Sequence, residues 1–161
     1  MRKYEGERAA NYDKERSKNS KYLWQQQTIE SILRSFRPEA VMDVPVGTGR
    51  FFPVYKEIGC KVLGVDVSQD MLDIAEDKGF DFPLLKADVF TIDLWDFVVC
   101  TRFFGHMRPN QKVELLSKVA DTMVLSHGPD GYLYFPASGL MIVGTHKMPE
   151  NDIYVSILKR K

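Results

Sequence analysis

The stretch DVPVGTGR, Asp43 to Arg50, sits between two apolar runs, AVMDV (Ala40–Val44) and FFPVYKEI (Phe51–Ile58). A buried strand, a tight turn with two glycines and a helix start, in that order, commit the chain to an α/β fold. Gly47 and Gly49 reach φ values closed to other residues and let a ligand approach the backbone closely. Pro53 is tolerated in the first helical turn.

The same alternation recurs downstream. KVLGVD (Lys61–Asp66) reads as a second strand, and Ser68 as the N-cap of a helix carrying Met71, Leu72 and Ala75. Asp70 in its first turn suits the helix dipole. FPLLKAD (Phe82–Asp88) and WDFVVC (Trp95–Cys100) read as a third and a fourth strand. Asn110 is expected to cap a helix with Val113, Leu116, Ala120 and Met123 on one face. GYLYFP (Gly131–Pro136) reads as a fifth strand. GLMIVG and DIYVSILKRK, joined by MPEND, read as a hairpin. Ahead of the first strand, Lys21–Phe36 looks helical, with Leu23, Ile29, Ile32, Leu33 and Phe36 as its apolar stripe, ended by Pro38. The pattern predicts an open sheet, mostly parallel, with an antiparallel hairpin at one edge.

In such sheets ligands bind beyond the carboxyl ends of the strands, where strand order reverses. The glycine turn is therefore the expected site. A phosphate-binding G-x-x-x-x-G-K-[ST] loop needs a Lys-Ser or Lys-Thr that is absent here. A dinucleotide fingerprint needs a third glycine where this chain has Phe52, which would hold the helix back from a pyrophosphate. Asp66 ends the second strand at the separation from which a carboxylate reaches both hydroxyls of an unmodified ribose. Asp43, Asp66 and Asp88 close three successive strands and suit a ligand that is cationic or rich in donors.

VMDVPVGTGR, VLGVDVSQDML and LLKADVF, taken in order, resemble the cofactor motifs of class I S-adenosylmethionine-dependent methyltransferases, and DFVVC sits where that family has its fourth strand. The resemblance covers roughly Ala40 to Cys100. It implies a Rossmann-like αβα sandwich, S-adenosylmethionine as cofactor, and methyl transfer as the reaction. By that resemblance Asp43, Gly47 and Gly49 surround the methionine part, Asp66 holds the ribose, and Asp88 and Val89 contact the adenine. Cys100 and Thr101 line the pocket bottom, and Val44, Pro45, Val67 and Met71 complete the cofactor-contacting set. Pro45 replaces the family's first turn glycine. The family also implies an N-terminal lid, so the chain is expected to be one domain, residues 1–161, with residues 1–36 as a helical lid or packing segment. Tyr4, Arg8, Tyr12 and Trp24 fall in that segment, and Tyr12 is the one expected near the sulfonium, a cation that aromatic faces attract.

CTRFFGHM (Cys100–Met107) lies where the acceptor would meet the methyl group. Arg102 can hold an anionic or planar substrate in its fork of donors. His106 can act as a general base. Each residue also has a plain structural reading: Asp43 as a turn residue, Asp66 as a helix-entry residue, Tyr12 and Trp24 as packing, Arg102 as a structural arginine, His106 as a surface histidine.

Lysine plus arginine, 22, equals aspartate plus glutamate, 22, so no global positive field draws the chain to nucleic acid or an anionic membrane. There is no Asn-Pro-Pro-Tyr or Asp-Pro-Pro-Tyr run and no cysteine after a proline, which removes the usual nucleic-acid methyltransferase signatures. A small-molecule acceptor is the first expectation. The first residues lack an apolar signal core, no apolar run reaches the ~20 residues that span a bilayer, and Cys60 and Cys100 lie in strand-like segments, so a cytoplasmic protein with reduced thiols is expected. His127 and His146 have no partners at ligand spacing, so no metal is expected. PASG between Phe135 and Leu140 is too short for a crossover helix. That omission keeps alternatives open: a homo-oligomer, a partner subunit, or a non-catalytic cofactor-binding sensor. A nicotinamide-dependent oxidoreductase is a third reading.

Overall fold

The computed structural model describes residues 6–7 and 11–161. Five α-helices are described: α1 (Tyr12–Arg16), α2 (Ser20–Phe36), α3 (Phe52–Ile58), α4 (Gln69–Glu76) and α5 (Pro109–Ser117). Seven strands, β1 (Ala40–Asp43), β2 (Lys61–Asp66), β3 (Leu84–Lys86), β4 (Phe97–Cys100), β5 (Thr122–His127), β6 (Leu140–Lys147) and β7 (Tyr154–Arg160), form one sheet in the order β3-β2-β1-β4-β5-β7-β6. β1 to β5 pair in parallel, with Val41 opposite Val62 and Met42 opposite Val98. β7 runs antiparallel between β5 and β6, and the β6–β7 register shifts between Ile142 and Gly144. This is a Rossmann-like sheet, with an antiparallel hairpin at one edge.

Strand periodicity divides the core into two layers. Val41, Val99, Val124 and Ile157 pack on one face with Leu33 of α2, Tyr55 of α3 and Leu72 of α4. Their neighbours Met42, Val98, Met123 and Leu158 pack on the other with Leu115 and Leu116 of α5. Helices thus cover both faces, and strand order reverses between β1 and β4.

Several elements differ from the sequence expectation. The stripe of α2 is Tyr22, Gln25, Ile29, Ile32 and Leu33, whereas Leu23 and Phe36 are exposed. Tyr22 holds the helical spacing to Gln25 and Ile29; Leu23 lies one step, about 100°, around the helix. The third strand pairs only over Leu84–Lys86, because it is an edge strand entered from Pro83. α5 starts after Arg108 with Pro109 in its first turn, and the Arg108 N–H donates to Gln111 Oε1 at 3.1 Å; Asn110 is not the cap. α5 also stops at Ser117. Met123 belongs to β5, whose six residues are all buried, as in a strand covered on both faces. Val113 is exposed.

Gly131–Pro136 is no strand. Pro129–Leu133 and Pro136–Ser138 are 3-10 turns, punctuated by proline, and a Cβ at Gly131 would stand 2.4 Å from the ring of His127. The link from β5 to β6 is therefore twelve residues long, and it crosses over β7 without an α-helix.

Candidate functional site

A cavity of about 1430 Å³ opens beyond the carboxyl ends of β1 to β4, at the point of strand reversal. Tyr12, Val44, Pro45, Gly47, Asp66, Val67, Met71, Asp88, Val89, Thr101, Arg102 and His106 all line it. Three other residues singled out in the sequence do not: Asp43, Gly49 and Cys100 sit behind its wall. Tyr4 and Arg8 lie outside the described residues.

The turn between β1 and α3 is held at both ends. The Val44–Pro45 peptide is cis. The Val46 N–H donates to Val65 O at 2.8 Å, and Gly47 and Gly49 adopt φ of +57° and +69°. A Cβ on Gly49 would lie 2.4 Å from the ring of Phe52, which is fully buried edge-on against Phe80 and Phe82. Phe52 thus packs into the core behind the turn, and the second glycine is what makes room for it.

Asp66 joins two loops. Its Oδ2 accepts from the Gly47 N–H and its Oδ1 from the Ser68 N–H, each at 2.9 Å. A carboxylate has about four lone-pair sites, so acceptor capacity is left for a ligand. Burial raises the Asp66 carboxyl above its ordinary range, against the Ser68, Gly47 and Val67 N–H groups, which favour the anion. Ser68 caps α4 by accepting from the Met71 N–H, and Asp88 Oδ1 accepts from the Phe90 N–H at the start of the Val89–Thr91 turn.

Asp43 points toward α3, where its Oδ2 accepts from the Tyr55 hydroxyl at 3.0 Å. It is 1% exposed, and burial pushes its carboxyl up to about 7. Cys100, also fully buried, has its thiol driven far up by burial and is inert.

The sequence reading missed Arg50. Its guanidinium lies 4.3 Å from the centre of the Tyr22 ring and 4.4 Å from that of Phe51. Nη2 reaches Thr101 Oγ1 at 3.3 Å, and Nη1 is buried with no hydrogen-bond partner. Burial lowers its pKa, although an arginine stays charged. A charged residue next to FFPVY, rather than on a solvated face, was the available signal. Tyr22 and Arg16 were missed as well; both line the cavity, and Tyr22 meets Tyr12 edge-on at 6.5 Å. Asp13 of α1 fastens this segment, accepting from Thr48 Oγ1 at 2.6 Å and pairing with Lys78 Nζ at 2.7 Å.

At the end of β4, Arg102 adopts φ of +57°, and its N–H donates to Ser126 Oγ at 2.8 Å. His106 is exposed at the cavity rim, in the Phe104–His106 turn. Among the described residues, no group of three His, Cys, Asp or Glu is placed to hold a metal ion, and no helix is long and apolar enough to cross a membrane.

Comparison with solved structures returns the same architecture. Magnesium protoporphyrin IX methyltransferase from Synechocystis, with S-adenosylmethionine bound, matches with a TM-score of 0.71 at 19% identity, over 87% of this chain and 81% of that one. A TehB-like methyltransferase from Corynebacterium glutamicum matches at 0.71 and 15%, over 95% and 98%. A 1,6-didemethyltoxoflavin-N1-methyltransferase from Burkholderia thailandensis matches at 0.69 and 15%, over 94% and 86%. At such identities the likeness is one of fold. No curated protein sequence matches the chain. The sequence model of the methyltransferase domain matches residues 41–125, more than half of the chain and the part that carries the glycine turn, Asp66 and Asp88. This chain belongs to the methyltransferase domain family, as an S-adenosylmethionine-dependent enzyme.

Proposed function

We propose that the protein methylates a small molecule, which enters beside Arg102 and His106 while the cofactor lies across the ends of β1 to β3. The observation that carries this reading is Asp66. Its carboxylate is fixed by two loop N–H groups and has acceptor capacity left for a ribose. Asp88 and Val89 flank the adenine position, and Val44, Pro45, Gly47, Val67 and Met71 line the space between. The unpartnered Nη1 of Arg50 suits the cofactor carboxylate. Tyr12 and Tyr22 offer aromatic faces to the positive end. Asp43, Gly49 and Cys100 serve from behind the wall, as supports of the turn.

When bound, S-adenosylmethionine supplies a methyl carbon on a sulfonium, whose departure leaves a neutral thioether. The protein then has to position the acceptor and exclude water. Arg102, held by Ser126, positions it. His106 takes a proton where the acceptor retains one. The helical segment from Tyr12 to Phe36 acts as the lid of a single domain, tied down through Asp13. The small-molecule acceptors named for the Synechocystis and Burkholderia neighbours support that substrate class. A cytoplasmic setting is supported by the two free, buried cysteines.

The test is a thermal-shift and calorimetry panel of S-adenosylmethionine, S-adenosylhomocysteine and NAD. Both sulfur ligands should stabilise the protein. Asp66→Asn should weaken them by about 1.5–3 kcal/mol, the scale for a hydrogen bond to a charged group. Stabilisation by NAD alone would sink the proposal.

A further inference from the structure

A second, smaller cavity of about 280 Å³ adjoins the first, and Arg16, Arg102 and His106 line both. Its wall contains three permanent cations, Arg16, Lys21 and Arg102, and not one aspartate or glutamate. Among the described residues none of the three is in an ion pair. Two polar atoms of wall residues, Arg16 Nε and Gln25 Oε1, are buried without a hydrogen-bond partner. Buried polar groups are ordinarily paired; of these two, the Arg16 donor calls for an anion and the Gln25 acceptor for a donor.

His127, also in this wall, adds no charge. Its Nδ1 meets Gly128 O at 2.6 Å and its Nε2 meets Ser156 Oγ at 2.8 Å, and burial lowers its pKa. Ser126 and the strained Arg102 backbone fix the junction between the two cavities: Arg102 holds a left-handed φ that residues other than glycine seldom adopt. The main cavity mixes its charges, with Asp66, Asp70, Asp88 and Lys86 at or after the ends of β2 and β3, and Arg16, Arg50, Arg102 and Arg108 elsewhere in its wall.

The cofactor sharpens this asymmetry. S-adenosylmethionine carries a sulfonium and an ammonium against one carboxylate, so it enters with a net positive charge. Arg50 takes that carboxylate in the reading above. Arg16 and Arg102, which line both cavities, then face a cationic ligand on one side, and on the other the smaller cavity offers no carboxylate to balance them or Lys21. Like charges at such range cost free energy unless an anion lies between them.

We infer that the smaller cavity is the acceptor subsite and that it binds an oxyanion: the methyl acceptor is a small molecule bearing a carboxylate or a phosphate, gripped by Arg16, Lys21 and Arg102. This rests on the cofactor reading, because the larger cavity must hold the cofactor for the smaller one to receive the acceptor. A pocket of this size, near the lower end of ligand sites, takes roughly one ring with its charged substituent.

The experiment titrates benzoate, phenyl phosphate and the neutral isostere benzamide into the full chain saturated with S-adenosylhomocysteine, by calorimetry. Saturation itself is measured first. Without it the cofactor reading fails, independently of the acceptor arms. With it, benzoate or phenyl phosphate should bind at least about tenfold more tightly than benzamide, as one charge-assisted contact dictates. The tighter of the two identifies a carboxylate or a phosphate as the handle. Arg102→Gln should lower oxyanion affinity about tenfold. Lys21→Glu, at a residue outside the cofactor cavity, should act in the same direction and guards against a folding defect in the first variant. Benzamide binding as tightly as benzoate, no binding of any probe, or oxyanion affinity indifferent to both substitutions would overturn the inference.

Discussion

Asp43→Asn should abolish the largest pH-dependent stability contribution in the cofactor wall. In the folded chain burial pushes the Asp43 carboxyl up to about 7, ahead of the hydrogen bond from Tyr55 and the charge of Arg50, which pull it down. In the unfolded chain it titrates near 3.9. The folded-state value is the higher, so between these limits the folded protein holds a proton that the unfolded chain has released. The contribution to stability is complete below about pH 4 and is lost as the pH rises through about 7, at up to roughly 1.4 kcal/mol per pH unit. Over the whole window this comes to about 4 kcal/mol. Asparagine cannot ionise, and its Oδ1 can still accept from the Tyr55 hydroxyl, 3.0 Å from the native oxygen. The variant should therefore match the parent near pH 4 and exceed it by roughly 3–4 kcal/mol at pH 8. Urea unfolding with linear extrapolation at pH 5, 6, 7 and 8 measures the gap. Other titrating groups cancel in the difference. A gap that stays constant from pH 5 to pH 8 would refute the reasoning: it would mean that Asp43 is ionised in the fold and that Arg50, rather than burial, sets its state.

The two turn glycines should differ. Both substitutions meet a positive φ, but Gly49→Ala also meets the Phe52 ring at 2.4 Å, whereas Gly47→Ala adds only an ordinary 3.8 Å contact to Met71. Thermal unfolding should show a loss of about 2–4 kcal/mol for the first and 1–2 for the second, and equal losses would remove the packing argument. Asp13→Ala should cost about 1–2 kcal/mol, chiefly by leaving the buried Thr48 hydroxyl without its acceptor since the pair with Lys78 is partly solvated, and should speed cofactor release several-fold in stopped flow. An unchanged release rate means that the N-terminal segment is no lid. Arg160 donates to the carbonyls of Leu116, Ser117, Val119 and Ser138, so it closes the C-terminal end of α5 from β7. Arg160→Ala should cost about 2–4 kcal/mol in urea unfolding, and Arg160→Lys should recover less than half of it, because an ammonium cannot span that fork.

The first two-thirds of the fold were legible because β1 and β2 end in an aspartate, and β3 runs out to Asp88, each before a capped or glycine-led turn. Ser68 and Asp66 announce themselves by residue type and spacing. Where the pattern was ambiguous, burial decided. VELLSKVADTM places Val113, Leu116, Ala120 and Met123 at helical spacing, yet Thr122–His127 is a central strand, and a fully buried strand shows no alternation to distinguish it. The error at Asp43 is one of parity. Asp43 shares the face of Val41, on the α3 side, so its carboxyl meets Tyr55 instead of the cavity. Arg50 escaped notice because a charged residue at a helix start ordinarily faces water. Only the assembled fold places Tyr22, 28 positions earlier in the chain, against its guanidinium.

The position of β7 between β5 and β6 has a consequence for how the molecule opens. β6 is attached to the sheet through β7 alone, whereas β7 has partners on both sides. Any fluctuation that frees β7 releases β6 with it, while β6 can peel away by itself. Amide hydrogen exchange should therefore rank the two strands in a fixed order, β6 never slower than β7. The hairpin then behaves as one cooperative flap on β5, and the chain ahead of it can hold its ligand while that flap breathes.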